Sequence, residues 1–399
     1  MEPPKTVDLS TAAKPIWERI LTTTPVIMTI LSTLLAGLSS SEMTQAQYHR
    51  SLAAQYQSKA GDQWGFFQAK RIRGSGLENS AEALQTQVNL SDSSELEIMA
   101  HRVSLTLRRI GKEAGDLAGK ADPTQTRKDN SLRSALEQLQ STAQAESGKS
   151  ADSEKVIHEA LNRPEVHKIF DFLKSSKIPG AADEAIEDPS VNQALQALAE
   201  RQADNEVDKT VASLSNEKIQ QALETAQKNA KQADEVTEPL TKGLAQVEQA
   251  VKNHVALAMP VLRAERKAEE ASEMETNKEP NANLQTVLDS AKLQADIERL
   301  QKGFRAVHLQ YNGLRNRREA DYNQKIAYVD EIQVHKSGLT SERHRQRSKN
   351  FFYGMLVAQA GMAISSFALA ARQKSVLWTL ACLAGLTAVA FSGYVYLSM

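Results

Sequence analysis

Two stretches that combine glycine and lysine have residue types that could bind phosphate. Ala143 to Ser150 ends in Gly148-Lys149-Ser150 and has the spacing of a phosphate loop, but Ala143 replaces its first Gly. Gly111-x-x-x-Gly115-x-x-x-Gly119-Lys120 has one residue too few between glycines and is followed by Ala121. A phosphate loop must leave a buried strand, whereas Ala143 follows helical sequence rich in Gln and Ala. We therefore expect helix ends here and no nucleotide site.

The other reactive residue types also lack the arrangements that chemistry requires. The eight histidines form no His-x-x-x-His or Glu-x-x-His pattern, which metal sites on helices use. The single Cys382 lies in an apolar run that holds no His to activate it, and no Gly-x-Ser-x-Gly elbow occurs. We predict no catalytic residue, no cofactor and no metal, and a protein that is not an enzyme.

Composition favours extended helices over a large globular core. The chain has 399 residues, of which 41% are hydrophobic but only 5% aromatic, and much of the strongly apolar sequence lies at its two ends. The middle is rich in the helix formers Ala, Gln, Glu and Lys. With 48 basic and 49 acidic residues the net charge is -1, so we expect no nucleic-acid partner.

Three charge-free segments are long enough to cross a bilayer as helices. Residues 351–371 and 376–398 are separated only by Arg372-Gln373-Lys374-Ser375 and predict a tight helical hairpin. Residues 20–41 form the third segment, which is either a retained membrane helix or a cleaved secretory signal. Ser39-Ser40-Ser41 matches a cleavage site poorly, so we favour the retained helix.

Small residues recur at helical spacing in all three membrane segments. Such residues let helix backbones approach closely in lipid, although they are also simply common in membrane helices. They are Ser32, Ala36 and Ser40 in the first segment, Gly354, Ala358, Gly361 and Ser365 in the second, and Ala384, Ala388 and Ser392 in the third.

A basic run adjoins the second membrane segment. Arg343, Arg345, Arg347 and Lys349 can act as a positive-inside topology signal or bind anionic lipid headgroups, and the two roles are compatible. Together with Lys336, Arg50 and Lys59 they make seven basic residues on the side of the middle region, against five on the opposite side. This excess favours a cytoplasmic middle region. The five opposite residues are Lys5, Lys14, Arg19, Arg372 and Lys374.

One heptad pattern stands out after the middle region. Its apolar residues alternate at spacings of four and three, as in a coiled coil or a helical bundle. We call them the seam: Leu293, Ile297, Leu300, Phe304, Val307, Tyr311 and Leu314. The sequence predicts one helix from about Leu284 into the second membrane segment. It also predicts that the seam associates with another copy or with a stalk helix over residues 42–73.

The stalk carries a cluster of aromatic and basic residues, Trp64-Gly65-Phe66-Phe67-Gln68-Ala69-Lys70. Trp64 lies about 35 Å beyond Ser41 at 1.5 Å per helical residue, so we do not expect an interfacial aromatic belt there. Tyr56, Ala60, Trp64 and Phe67 form a stripe, which we interpret as packing or, less favoured, as a ligand site. We expect the stalk to end at the Gly74-Ser75-Gly76 turn.

The aromatic motif and the membrane segments resemble the bacterial DUF4337 family of uncharacterised membrane proteins. Members of that family have a similar motif: a Trp, a small residue and two aromatics, followed by Gln, by either Ala or Ser, and by Lys. Trp64 to Lys70 resembles it, with Gly65 as the small residue. The resemblance is strongest over residues 24–73 and 322–397, and residues 75–284 look like an insertion without similarity. It implies a bacterial membrane setting and no established activity.

The sequence thus predicts an all-α membrane protein with three transmembrane helices and a long helical, coiled-coil-like extramembrane region. We expect a non-enzymatic scaffold or assembly protein of the bacterial inner membrane, with the bilayer and either a second copy or another membrane protein as partners. The alternative is an accessory subunit of a transporter or channel. The predicted segments are a tail (1–19), a membrane helix (20–41), a stalk (42–73), a helical insertion (74–283), a long helix (284–350) and membrane helices at 351–371 and 376–398.

Overall fold

A computed structural model describes the backbone of residues 16–88, 92–120, 129–180, 185–273, 283–371 and 374–398. Within these ranges the chain forms α-helices and no strands, which confirms the predicted all-α class. The basic residues Lys5 and Lys14 and the connection Arg372-Gln373 lie outside the described residues.

The helices follow one another with short connections. Their bounds are α1 Ile16–Gln85, α2 Ser93–Lys120, α3 Asp129–Leu161, α4 Pro164–Ser175, α5 Pro189–Ala199, α6 Asp204–Ala212, α7 Asn216–Glu273, α8 Asn283–Ala370 and α9 Lys374–Ser398. Three of them include stretches long and apolar enough to cross a membrane, within Thr22–Gln85, Ala291–Ala370 and Ser375–Leu397. The long helix predicted from about Leu284 into the second membrane segment is therefore confirmed as α8.

Local sequence explains where the short helices start and stop. Pro164 and Pro189 occupy first-turn positions, where the missing N–H costs nothing. The Asp188 carboxylate accepts hydrogen bonds from the Ser190 and Val191 amides and caps α5. Ser176 ends α4 in the left-handed conformation.

Two predicted breaks are wrong, because the helices run through them. α3 continues through Ser147-Gly148-Lys149-Ser150, where we expected a helix end. α1 continues past Gly74-Ser75-Gly76 to Gln85, so the stalk does not end at Arg73. Gly74 does not form a turn. Its missing side chain instead lets α1 pack closely against the backbone of α8.

The chain divides into two compact units. Unit 1 comprises Met1–Gly61, Glu187–Ala222 and Ala327–Met399, and contains the membrane segments. Unit 2 comprises Asp62–Ile186 and Leu223–Ile326. Its core is built from apolar faces of α2, α3, α4, α7 and α8, with Leu107, Leu139, Ile169, Val261 and Leu300 fully buried.

Candidate functional site

The membrane part of unit 1 packs through small residues. A Cβ atom added at Gly354 of α8 would lie 2.7 Å from Ser392 Oγ of α9 and 3.5 Å from Leu35 Cδ1 of α1. One added at Gly361 would lie 3.2 Å from Ala384 Cβ. These pairs step in opposite directions along α8 and α9, so the two helices are antiparallel. Close backbone approach supplies the dispersion contacts that hold helices together in lipid.

The buried stripes follow the predicted small residues on α8 and α9 more closely than on α1. Ala358, Ser365, Ala388 and Ser392 are buried as expected. On α1 the buried residues are Thr24, Met28, Ser32 and Leu35, whereas the predicted Ser40 is exposed. The α1 stripe thus continues through larger residues, because Met28 fills the space beside Gly361 and Gly385.

Large side chains cover the opposite faces of these helices. Ile27, Leu34, Phe367, Leu383 and Leu386 are each more than half exposed, as lipid-facing residues are. Antiparallel packing brings exposed aromatic residues from two helices to one level of the bundle, where an interfacial belt is expected. These residues are Phe352 and Tyr353 at the start of the second membrane segment and Tyr394 and Tyr396 at the end of the third.

Polar contacts join α1 and α8 where the first membrane segment ends and the second begins. Ser39 Oγ donates to the Ser348 carbonyl oxygen (3.0 Å), and Ser348 Oγ donates to that of Ser39 (2.8 Å). Farther out, His344 Nδ1 lies 2.6 Å from Glu42 Oε2. We call these four residues the juxtamembrane clamp. It fixes one register between the two helices.

A second histidine lies on the clamp. The rings of His49 and His344 stack with centroids 5.5 Å apart and planes 3° from parallel. Burial lowers the pKa of His49, and so does the neighbouring His344. The His49 imidazole is therefore neutral at pH 7, and the stack does not bring two positive charges together.

The predicted basic run lies at the same level and is largely exposed. Arg343, Arg345 and Lys349 point outward, and Arg345 pairs with Glu342 at 2.8 Å. Arg347 is half-buried. Three outward charges next to the membrane segment fit either a topology signal or a headgroup contact.

The aromatic motif packs within unit 2. Trp64 and Phe67 meet edge to face with centroids 5.3 Å apart, and the Arg71 guanidinium lies 5.6 Å from the Phe67 ring centroid. Phe67 is buried, whereas Phe66 is 56% exposed. Tyr56, the other predicted stripe residue, is half-buried in unit 1.

The last residue of that motif enters a charge network. Lys70 of α1 forms an ion pair with Glu319 of α8, whose other carboxylate oxygen lies 2.7 Å from Arg315 Nε. Arg315 also donates to Thr241 Oγ1 of α7 at 3.1 Å. Burial raises the pKa of the neighbouring Asp234, and the charge of Glu319 adds to this effect. The network links α1, α7 and α8 inside unit 2.

Next to this network, α1 and α8 cross at a pair of glycines. A Cβ atom at Gly74 would lie 3.1 Å from the Gly313 carbonyl oxygen and 3.3 Å from the Arg317 amide nitrogen, both backbone atoms. A Cβ at Gly313 would meet Glu78 Cγ at 2.8 Å. Neither helix can therefore carry a side chain at the crossing.

We expect Gly74→Ala to destabilise unit 2 by about 1 kcal/mol, because the new methyl group forces two backbones apart. Gly76→Ala is the matched control, since a Cβ there has nothing within 4 Å. In a helix interior that change should stabilise the protein by about 0.5–1 kcal/mol. Thermal unfolding of both variants in detergent checks this, and equal shifts for the two would contradict close packing at Gly74.

The seam residues lie in the unit 2 core. Leu293, Leu300 and Tyr311 are fully buried; Ile297, Phe304 and Val307 are nearly so; and Leu314 packs against the same core at partial exposure. The Tyr311 hydroxyl donates to the Thr237 carbonyl oxygen of α7 at 3.1 Å. The chain's own helices thus occupy this face of α8.

The stretches that resembled phosphate loops pack on each other. A Cβ at Gly111 of α2 would lie 3.1 Å from Ala143 Cβ of α3, and Ser104 and Ser150 share a buried hydrogen bond of 2.6 Å. Lys149 pairs with Glu146. Both stretches are inside helices, where Gly111, Gly115 and Ser150 serve helix packing.

Histidine side chains in unit 2 pair with carboxylates one at a time. His101 lies 2.7 Å from Glu154, and His158 lies 3.2 Å from Glu97. Among the described residues, no group of three or more His, Cys, Asp or Glu side chains is arranged to hold a metal ion.

Sequence reasoning missed the juxtamembrane clamp, the Lys70–Glu319 pair and the Gly74–Gly313 crossing. Each joins residues more than two hundred positions apart in the chain. The available signal was the absence of proline from residues 41–73 and 284–350, which predicted two long helices but not their register.

Comparisons with known proteins agree with the expected family. The model of a family described as a domain of unknown function, DUF4337, matches residues 17–158. The match includes α1 with its aromatic motif and extends beyond Arg73. We expected residues 75–284 to lack similarity to the family, and the match shows that this expectation is wrong for residues 75–158. Neither the curated proteins nor the solved structures gave a match. Residues 17–158 of this chain are therefore similar to the DUF4337 family, whose function is unknown.

Proposed function

We propose that this protein is a non-enzymatic membrane scaffold or assembly protein, with its middle region in the cytoplasm of a bacterium. The supporting observation is the juxtamembrane clamp, in which Ser39 and Ser348 bridge α1 and α8 in both directions. It holds two helices that continue out of the membrane in one register. A fixed pair of emerging helices suits a protein that positions others, through helical and coiled-coil contacts along its exposed faces.

The membrane contacts support the same proposal. α8 and α9 pack closely and antiparallel through Gly354 and Gly361, and α1 packs beside them. Exposed apolar side chains then face lipid or a membrane partner. The three outward charges Arg343, Arg345 and Lys349 support a cytoplasmic middle region.

Copurification from native membranes after mild crosslinking tests the proposal. We expect the protein to recover either additional copies of itself or a stoichiometric membrane protein, and the recovery to survive salt. Recovery of a transporter or channel subunit would favour the accessory role instead. A protein that remains monomeric and alone under crosslinking would contradict both.

Topology is tested on the same membranes. Protease added to sealed spheroplasts should leave residues 74–283 intact, and should cleave them once the membrane is opened. A cysteine-free background, made by Cys382→Ala, allows single cysteines at exposed Ser58 and Ser141 to be labelled from either side. Labelling of these sites from outside intact cells would overturn the cytoplasmic assignment.

A further inference from the structure

Unit 1 contains a pocket of about 250 Å³ outside the membrane segments. α1 contributes Leu52 and Tyr56 to its wall, the first turn of α7 contributes Asn216 and Ile219, and α8 contributes Gln333 and Lys336. The volume is slightly below the range of about 300–1,000 Å³ typical of ligand pockets. It therefore fits a molecule of few atoms.

One polar atom in this wall has no hydrogen bond among the described residues. Gln333 is 8% exposed, and its Oε1 is buried without a donor. Leaving a buried acceptor unpaired costs about 1–3 kcal/mol. A ligand that brings an O–H or N–H group into the pocket would recover this energy.

Lys336 supplies a positive charge one helical turn from Gln333. Its ammonium group donates one hydrogen bond, to the Ala212 carbonyl oxygen at 3.0 Å, and carries three protons in all. Burial lowers the pKa of Lys336, and repulsion from the nearby Arg343 adds to this effect. The neighbouring His335 pairs with Asp208 at 2.8 Å. His49, also in the wall, has a lowered pKa and is neutral at pH 7. One cation in the wall matches a ligand with one negative charge.

We propose that this pocket binds a short monocarboxylate that also carries a hydroxyl or amide donor. The carboxylate pairs with Lys336, the donor bonds to Gln333 Oε1, and the carbon chain lies against Leu52 and Ile219. Lys336 precedes Phe351 by fifteen residues, or about 22 Å along a helix. The headgroup layer is only about 5–8 Å thick, so the ligand is a soluble molecule and not a lipid headgroup.

Ligand-observed NMR on the full chain in detergent micelles tests this with two matched pairs of probes. Lactate and 3-hydroxybutyrate carry both groups, whereas propionate and butyrate lack the hydroxyl. We expect both hydroxy acids to bind, and each deoxy partner to bind at least tenfold more weakly. Failure of both hydroxy acids to bind, or equal binding of the deoxy partners, would overturn the proposal.

Variants of α8 assign the two contacts. Lys336→Gln and Gln333→Met should each weaken hydroxy-acid binding at least tenfold, while the exposed control variants Lys349→Gln and Gln346→Met should leave it unchanged. Lys336→Arg keeps the charge and should retain binding. Equal losses in the control variants would show that the signal is nonspecific and refute the site.

The stability of Gln333→Met is a separate check on the unpaired acceptor. This change removes the buried Oε1, which has no donor, together with the amide nitrogen Nε2, so the thermal midpoint of unfolding without ligand should change little. A lower midpoint together with unchanged hydroxy-acid binding would show that Gln333 serves only the fold, and the assignment of its Oε1 to a ligand would fail.

Discussion

Replacing Leu300 by Ala is expected to reduce the free energy of unfolding by about 2–5 kcal/mol, the range for truncating a fully buried leucine. Leu300 is fully buried in the apolar core of unit 2. The cost arises inside one chain, so it should not depend on protein concentration. Denaturant unfolding in micelles, followed by circular dichroism at two concentrations, measures it.

Leu105→Ala is the matched control for Leu300→Ala, because Leu105 on α2 is 48% exposed. We expect a change within about 0.5 kcal/mol there, as for surface substitutions generally. Light scattering should show the same oligomeric state for both variants and the wild type. If Leu300→Ala instead dissociated an oligomer with little loss of chain stability, the seam would be a surface between copies. That is one of the two associations that the sequence predicts, the other being with the stalk.

The second large effect concerns Asp330 of α8, a carboxylate in unit 1 that is 3% exposed. Burial raises its pKa to about 6, and the attraction of Lys59 limits the rise. Because the folded state holds this proton more tightly than the unfolded state, the contribution of Asp330 to stability is present below about pH 4 and is lost as the pH rises through 6.

Asp330→Asn removes this pH-dependent penalty. We expect the variant to be more stable than wild type by about 3 kcal/mol at pH 8 and nearly equal to it at pH 4, since the pKa rises from 3.8 to about 6 and each unit corresponds to about 1.4 kcal/mol. Thermal unfolding in micelles at the two pH values measures the difference. Asp152→Asn, whose parent side chain is 84% exposed, should show no such pH dependence.

A gain for Asp330→Asn that is equal at both pH values would show that charge is not the cause. A loss of stability at pH 8 would show that the attraction between Asp330 and Lys59 outweighs the cost of burying the carboxylate. Either result would contradict the raised pKa.

Periodic features of this chain could be predicted from the sequence because they depend on neighbours along one helix. Heptad spacing predicts the seam from Leu293 to Leu314. Its residues lie in or against the unit 2 core. The membrane segments followed from charge-free length in the same way, and all three fall within helices of sufficient length and hydropathy.

Features that depend on a partner helix could not be predicted, and glycine shows why. Gly74 and Gly76 look alike in sequence, yet a side chain at Gly74 would strike α8, whereas one at Gly76 would meet open space. Lys70 likewise gives no sign of Glu319, which lies 249 residues away.

The reciprocal serine contacts also restrict how the membrane part can move. Ser39 and Ser348 each donate to the other's carbonyl oxygen. Sliding α1 against α8 by one residue, about 1.5 Å, would break both hydrogen bonds together. A piston stroke of one helix past the other is therefore disfavoured. Any signal that crosses the bilayer through this protein would have to tilt or rotate the clamped pair as a single body.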